Sequence, residues 1–325
     1  MRRLRVPGDY TTPGGSAGIT RMLHFASLNS TAGLEDWVAH VATGTVLRER
    51  TVDAVLAHVV DEAYRLSAIR AENDSHLALR LRIAQGHIAM GRTGGSWLAF
   101  LASTRRAGDA VAMGRCQLES YEAWIGVDPS FLLVPNELEK NVGFDHGLRY
   151  PSAELTTFAL RCRDRGAQFS WLDAAVEVPA AESLSQHLQW RRESLLARLG
   201  ALRDHNEGMP GALTLDRRAA LLAMCVGSSC SDLCLMVTGC SLWVLHSATV
   251  SELFVNFLIS MCSGTVLFCY VLGFVASCSP LSFGGGLAGR ATFYMLLLVQ
   301  VLWAPVAAII DTIAGVQACI AHFTS

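Results

Sequence analysis

Charge is nearly missing from the last third of this 325-residue chain: after Arg218 the only Asp, Glu, Lys or Arg residues are Asp232, Glu252, Arg290 and Asp311. The other 25 basic groups (26 minus 1) and 25 acids (28 minus 3) lie in residues 1–218, so that part is electrically balanced. Without a basic excess it has no bulk claim on nucleic acid, and no nucleic-acid partner is expected. Lysine is all but absent, with Lys140 alone against 25 arginines, which reads as nucleotide-composition bias. Cysteine is scarce in the polar part, where only Cys116 and Cys162 occur; the other eight fall in the apolar third. That distribution is no secreted disulfide framework, and it suits small, polarisable packing residues. Walker, H-E-x-x-H and G-x-S-x-G motifs are missing, so no catalytic residue, cofactor or metal is expected and an enzyme is not the favoured reading.

What is present is apolar residues. They make up 51% of the chain against 17% charged, with a mean hydropathy of +0.34, too apolar for an ordinary soluble protein. The sequence predicts an all-α protein in three parts. Residues 1–33 hold Arg2, Arg3, Arg5 and Arg21 with a single acid, Asp9, and read as a flexible segment or transit peptide. Residues 34–211 read as a helical soluble domain. Thr51 looks like an N-cap for a helix carrying Val52, Val55, Leu56, Val59, Ala63 and Leu66 on one face. A second helix is expected over Leu77, Leu81, Ala84 and Ile88, a third over Asp109–Trp124, a long loop over Gly126–Tyr150, and helices again from Ser152. Glu182–Arg203 spaces leucines along one side as a packing helix, with Arg191 and Arg192 beside a gap, and Asn206–Gly211 is the hinge to the apolar third.

Residues 212–325 read as a transmembrane domain of about three helices: Ala219–Ser247, Leu253–Ser277 and Ala291–Ile310, each near the roughly 20 residues that a span requires. Arg217, Arg218 and Arg290 fall on one side of such a bundle, which places the N-terminal part inside. The Gly284–Gly289 run matches G-x-G-x-x-G but lies between two spans without a strand, so it reads as a turn.

Polar and small residues inside the spans are the candidate site: Asp232, His246 and Asn256, and in the last span the stripe Gln300, Ala304, Ala307, Asp311 and Gly315. Ionisable groups in hydrocarbon cost about 2.5–3.5 kcal/mol on insertion scales and seek partners. Asp232 and His246 stand too far apart on one helix to serve each other, so their partners are expected on other chains.

A helical domain followed by a short membrane hairpin resembles, in outline only, the uniporter and magnesium-transporter types of inner-membrane cation channel. Neither the acidic filter motif nor Gly-Met-Asn of those families is present. Taken together, the sequence predicts an integral membrane structural or assembly subunit in contact with the lipid bilayer and other subunits, with the mitochondrial inner membrane as the favoured place and another cellular membrane as the alternative. An oligomeric channel or transporter, or a membrane-anchored enzyme, is the alternative.

Overall fold

The computed structural model describes residues 5–16, 18–71, 81–92, 94–120, 128, 130–145, 154–204, 232–235, 250–278, 283–284 and 286–324. It is an α/β protein, not the all-α one that periodicity suggested. In chain order the elements are α1 (Gly18–Asn29), β1 (Trp37–Val41), β2 (Val46–Leu47), α2 (Glu49–Ala71), β3 (Arg82–Gly91), α3 (Trp97–Ser120), β4 (Phe131–Pro135), α4 (Asn136–Val142), α5 (Glu154–Asp164), β5 (Gln168–Pro179), α6 (Leu184–Asp204), α7 (Val250–Ser277) and α8 (Leu287–Thr324). The five strands form one mixed sheet in the order β1-β4-β3-β5-β2. β1 and β4 run antiparallel with Trp37 opposite Pro135 and Val41 opposite Phe131, and Ala84 of β3 faces Leu133 of β4.

Each departure from the sequence reading has a physical reason. The segment expected as a second helix is β3, whose residues are buried on both faces, so no polar alternation marks it as a strand. The expected long loop contains β4, Phe-Leu-Leu-Val-Pro, buried at all five positions and flanked by turn-forming residues. β5 does alternate, with Leu172, Ala174, Val176 and Val178 buried and Asp173 exposed between them. Thr51 is no N-cap: α2 begins at Glu49, and the Thr51 hydroxyl donates to the carbonyl of Ala175 at 2.6 Å. α6, by contrast, lies within two residues of its expected ends.

The chain divides into two compact units. The first comprises Met1–His87, Gly114–Val176 and Leu196–Leu222; the second comprises Ile88–Met113, Glu177–Leu195 and Ala223–Ser325. The first is built around Leu81, Ile83, Leu132, Val134, Phe158 and Phe169, with the rings of Phe144 and Phe158 stacked 4.6 Å apart. Cys162 lies in this core, where burial pushes its thiol well up from the ordinary range and keeps it a packing residue. Glu62 is held there by Arg65 at 2.5 Å and Arg82 at 3.1 Å, and His40 by Glu139 at 2.9 Å.

The second unit holds the apolar helices. Two segments are long and apolar enough to cross a membrane, Phe257–Ser277 of α7 and Leu287–Thr324, with mean hydropathies of 2.0 and 2.2. The first of the three expected spans lies outside the described residues except for a helical stretch at Asp232–Leu235, so the described residues contain two such helices. The last span neither breaks at Pro305 nor ends at Asp311, since α8 continues through both. A core of Ala102, Leu235, Val266, Tyr270, Ala304, Ala307 and Ala308 joins α3, α7 and α8.

Where α3 passes α7 the backbones touch: a Cβ on Gly108 would collide with the carbonyl of Cys269, and one on Gly273 with the carbonyl of Thr104. Only hydrogen fits at both positions. Gly273→Val is therefore expected to destabilise the chain by about 1–3 kcal/mol through overpacking. Gly264→Ala, where a Cβ meets nothing within 4 Å, is expected to leave thermal unfolding in detergent unchanged.

Candidate functional site

Helices of the second unit bring a set of polar side chains to one buried place. α3 supplies Arg105 and Asp109, α6 supplies His187 and Arg191, and the apolar helices supply Tyr270 and Asp311, with Asp232 from the helical stretch before α7. Arg105 pairs through Nη1 with Asp232 Oδ1 at 2.8 Å and through Nε with Asp109 Oδ1 at 2.6 Å. Its guanidinium lies 5.2 Å from the centre of the Tyr270 ring. Arg191 faces all three acids, at 3.1 Å from Asp311, 3.4 Å from Asp109 and 3.7 Å from Asp232. Asp311 also accepts from His187 Nε2 at 3.0 Å and from the Tyr270 hydroxyl at 2.8 Å.

The electrostatics follow from this enclosure. Burial works against the charge on Arg105, yet Asp109 and Asp232 outweigh it and hold the guanidinium protonated well above its ordinary value. Arg191 behaves alike: burial opposes its charge, and Asp311, Asp109 and Asp232 together raise its pKa. Such ions tolerate burial only because each meets its opposite at hydrogen-bonding range. Asp232 and Asp311 are engaged by cations and shut from water, so neither is a free base for chemistry. What the cluster does is hold α3, α6 and α8 together. Among the described residues no group of three or more His, Cys, Asp and Glu is placed to hold a metal ion.

Of the residues expected from the sequence, Asp232 and Asp311 enter the cluster. Gln300 is buried beside it, donating to the Leu101 carbonyl at 3.2 Å and the Thr104 hydroxyl at 3.1 Å. Ala304, Ala307 and Gly315 lie on the same buried face of α8. His246 falls outside the described residues, and Asn256 is in α7 with its side chain outside them. The expectation that these polar groups lack partners within the chain is corrected: Asp232 and Asp311 pair with α3 and α6 of the same chain, and Gln300 donates through Nε2 to α3 while its Oε1 stays unpaired. The residues that the sequence reading passed over are Arg105, Asp109, His187 and Tyr270. An Arg and an Asp four residues apart in the otherwise apolar start of α3 were the available signal.

Removing one partner of a buried pair leaves the other charge uncompensated, at about 3–5 kcal/mol. Asp311→Ala and Arg191→Ala are each expected to lower the thermal unfolding midpoint strongly, and the double variant by less than their sum. The exposed Glu193→Ala should stay within about 0.5 kcal/mol of the parent. Additive losses in the double-mutant cycle would show that the pair is not coupled.

No family model matches this sequence. The chain is similar to the β-1,4-mannosyltransferase egh of Drosophila melanogaster, with 24% identity over 203 residues, covering 60% of this chain and 40% of that protein. It is also similar to the β-1,4-mannosyltransferases bre-3 of Caenorhabditis elegans and Caenorhabditis briggsae, each with 22% identity over 198 residues and the same coverages. The chain thus spans about 40% of the length of the curated relatives it matches. These likenesses overturn the expectation of a structural or assembly subunit and point to an enzyme. Nothing in them supports a mitochondrial place, and that expectation is withdrawn. Two apolar helices together with glycosyltransferase relatives are compatible with a membrane-bound protein.

Proposed function

We propose that this chain is a membrane-associated glycosyltransferase that moves a hexosyl group from an activated donor to an acceptor hydroxyl, with mannose the first sugar to test. The observation that carries this reading is the sequence likeness to three β-1,4-mannosyltransferases over about 60% of the chain. The fold supports it in a general way. An α/β sheet with strands buried on both faces offers a rigid frame for a site built on its connecting loops. β3 leads into α3 and β5 into α6, and the ion cluster fixes those two helices to the apolar pair.

The test uses membranes containing the full chain, incubated with radiolabelled GDP-mannose and separated into lipid and protein fractions. Label is expected in a product absent from control membranes, and β-mannosidase is expected to release it. Failure to transfer mannose, and in parallel assays glucose or N-acetylglucosamine from their nucleotide donors, would overturn the proposal.

A further inference from the structure

We propose that α8 is a lipid-facing surface lying along the bilayer, not across it, with both of its ends on the same side. The inference rests on the membrane association argued above but not on the transferase reading. Its first support is length. Exposed apolar side chains run down one face of α8 from Leu287, 87% exposed, to Phe323, 85% exposed. Between them Leu302, Val306, Ile309, Ile313, Val316 and Ile320 mark the row at three- and four-residue spacing. At 1.5 Å per residue the row is about 54 Å long, against a hydrocarbon core of about 30 Å. Even at the roughly 40° limit of transmembrane tilt, a crossing helix covers only about 39 Å of its own length inside the core. About ten residues of exposed apolar surface are then left outside the hydrocarbon core.

The second support is what covers the opposite face. Along α8, Phe293, Gln300, Ala304, Ala307, Asp311, Ala314 and Ala318 are buried within the chain. Gln300 is held by α3, and Asp311 by His187 and Arg191 of α6. The neighbours of Arg191 along α6, Arg192 and Glu193, are exposed, so charged, water-seeking side chains flank the late part of α8. Near its beginning the same holds. Ser277, the last residue of α7, accepts a hydrogen bond through its hydroxyl from the Met90 amide at 2.9 Å, and the chain continues from Met90 to the exposed Arg92. Arg290, in the first turn of α8, is exposed as well. Polar structure of one unit therefore accompanies α8 at both ends, while an uninterrupted apolar row faces away from it. Amphipathic helices at the membrane surface divide their faces in this way.

The test is sidedness in sealed microsomes carrying the full chain. Arg290→Cys and Ser325→Cys, one near each end of the row and neither a member of it, are introduced singly into a background whose own cysteines are replaced, and treated with a membrane-impermeant maleimide before and after detergent lysis. Both positions are expected to react to the same extent before lysis, with no gain at either afterwards, or to be protected together. One position reactive before lysis and the other only after it overturns the inference. Should the cysteine-free background unfold, epitopes placed between Ser277 and Leu287 and after Ser325 of the native chain are read with antibodies in the same vesicles, with the same two outcomes. A chain that fails to float with the vesicles overturns the membrane reading along with this one, whereas a floating chain with ends on opposite sides overturns only the orientation.

Discussion

Asp311 is the constraint on which the second unit is organised. A carboxylate on the inner face of a 38-residue apolar helix has no acceptable place in hydrocarbon and none in an apolar core. The chain answers with Arg191, His187 and Tyr270, drawn from two other helices. Arg191 then carries the constraint outward, because the same guanidinium faces Asp232 and Asp109, and Arg105 joins those two acids again. Each charge is buried only because the others are. Such a closed circuit contributes less net stability than its distances suggest, since desolvation offsets much of the attraction. It does penalise wrong packing: any arrangement of α3, α6 and α8 that separates the pairs leaves ions stranded away from water.

The sequence disclosed this arrangement only in part. Asp232, Gln300 and Asp311 stand out because polar residues are rare among their neighbours, and their need for partners was legible. Where the partners were was not. Arg105 and Arg191 sit on helices whose other charges look like ordinary solvated faces, and no local pattern says which of several arginines turns inward. The sheet was hidden for a different reason. β3 and β4 are covered on both sides, so their sequences lack the period of two by which a strand is recognised, and apolar runs of that kind suit a helix equally well. β5 was readable, since Leu172, Ala174, Val176 and Val178 alternate with Asp173, Ala175 and Glu177 over a stretch too short for many helical turns. Giving that alternation its weight would have shown that the protein is not all helical.

The two units also differ in what their charged residues do. In the first, pairs such as Glu62 with Arg82 tie an element to the sheet, here α2 to β3, over an aromatic and aliphatic core. In the second, the core is mostly alanine, so helices approach closely and charge pairs supply the directional contacts that large side chains would otherwise provide. Close approach and buried charge belong together, because short interaxial distances let side chains as small as aspartate reach across.

The crossing of α3 and α7 at Gly108 and Gly273 ties this geometry to heredity. Because the main chains abut there, a bulkier residue at either position moves the whole of α7 outward, not one side chain. The reach of Gln300 to the Tyr270 carbonyl and of the Tyr270 hydroxyl to Asp311 would lengthen in the same step. Descendants of this chain can therefore alter the exposed apolar exterior freely, yet two residues without side chains set where Tyr270 stands against Asp311.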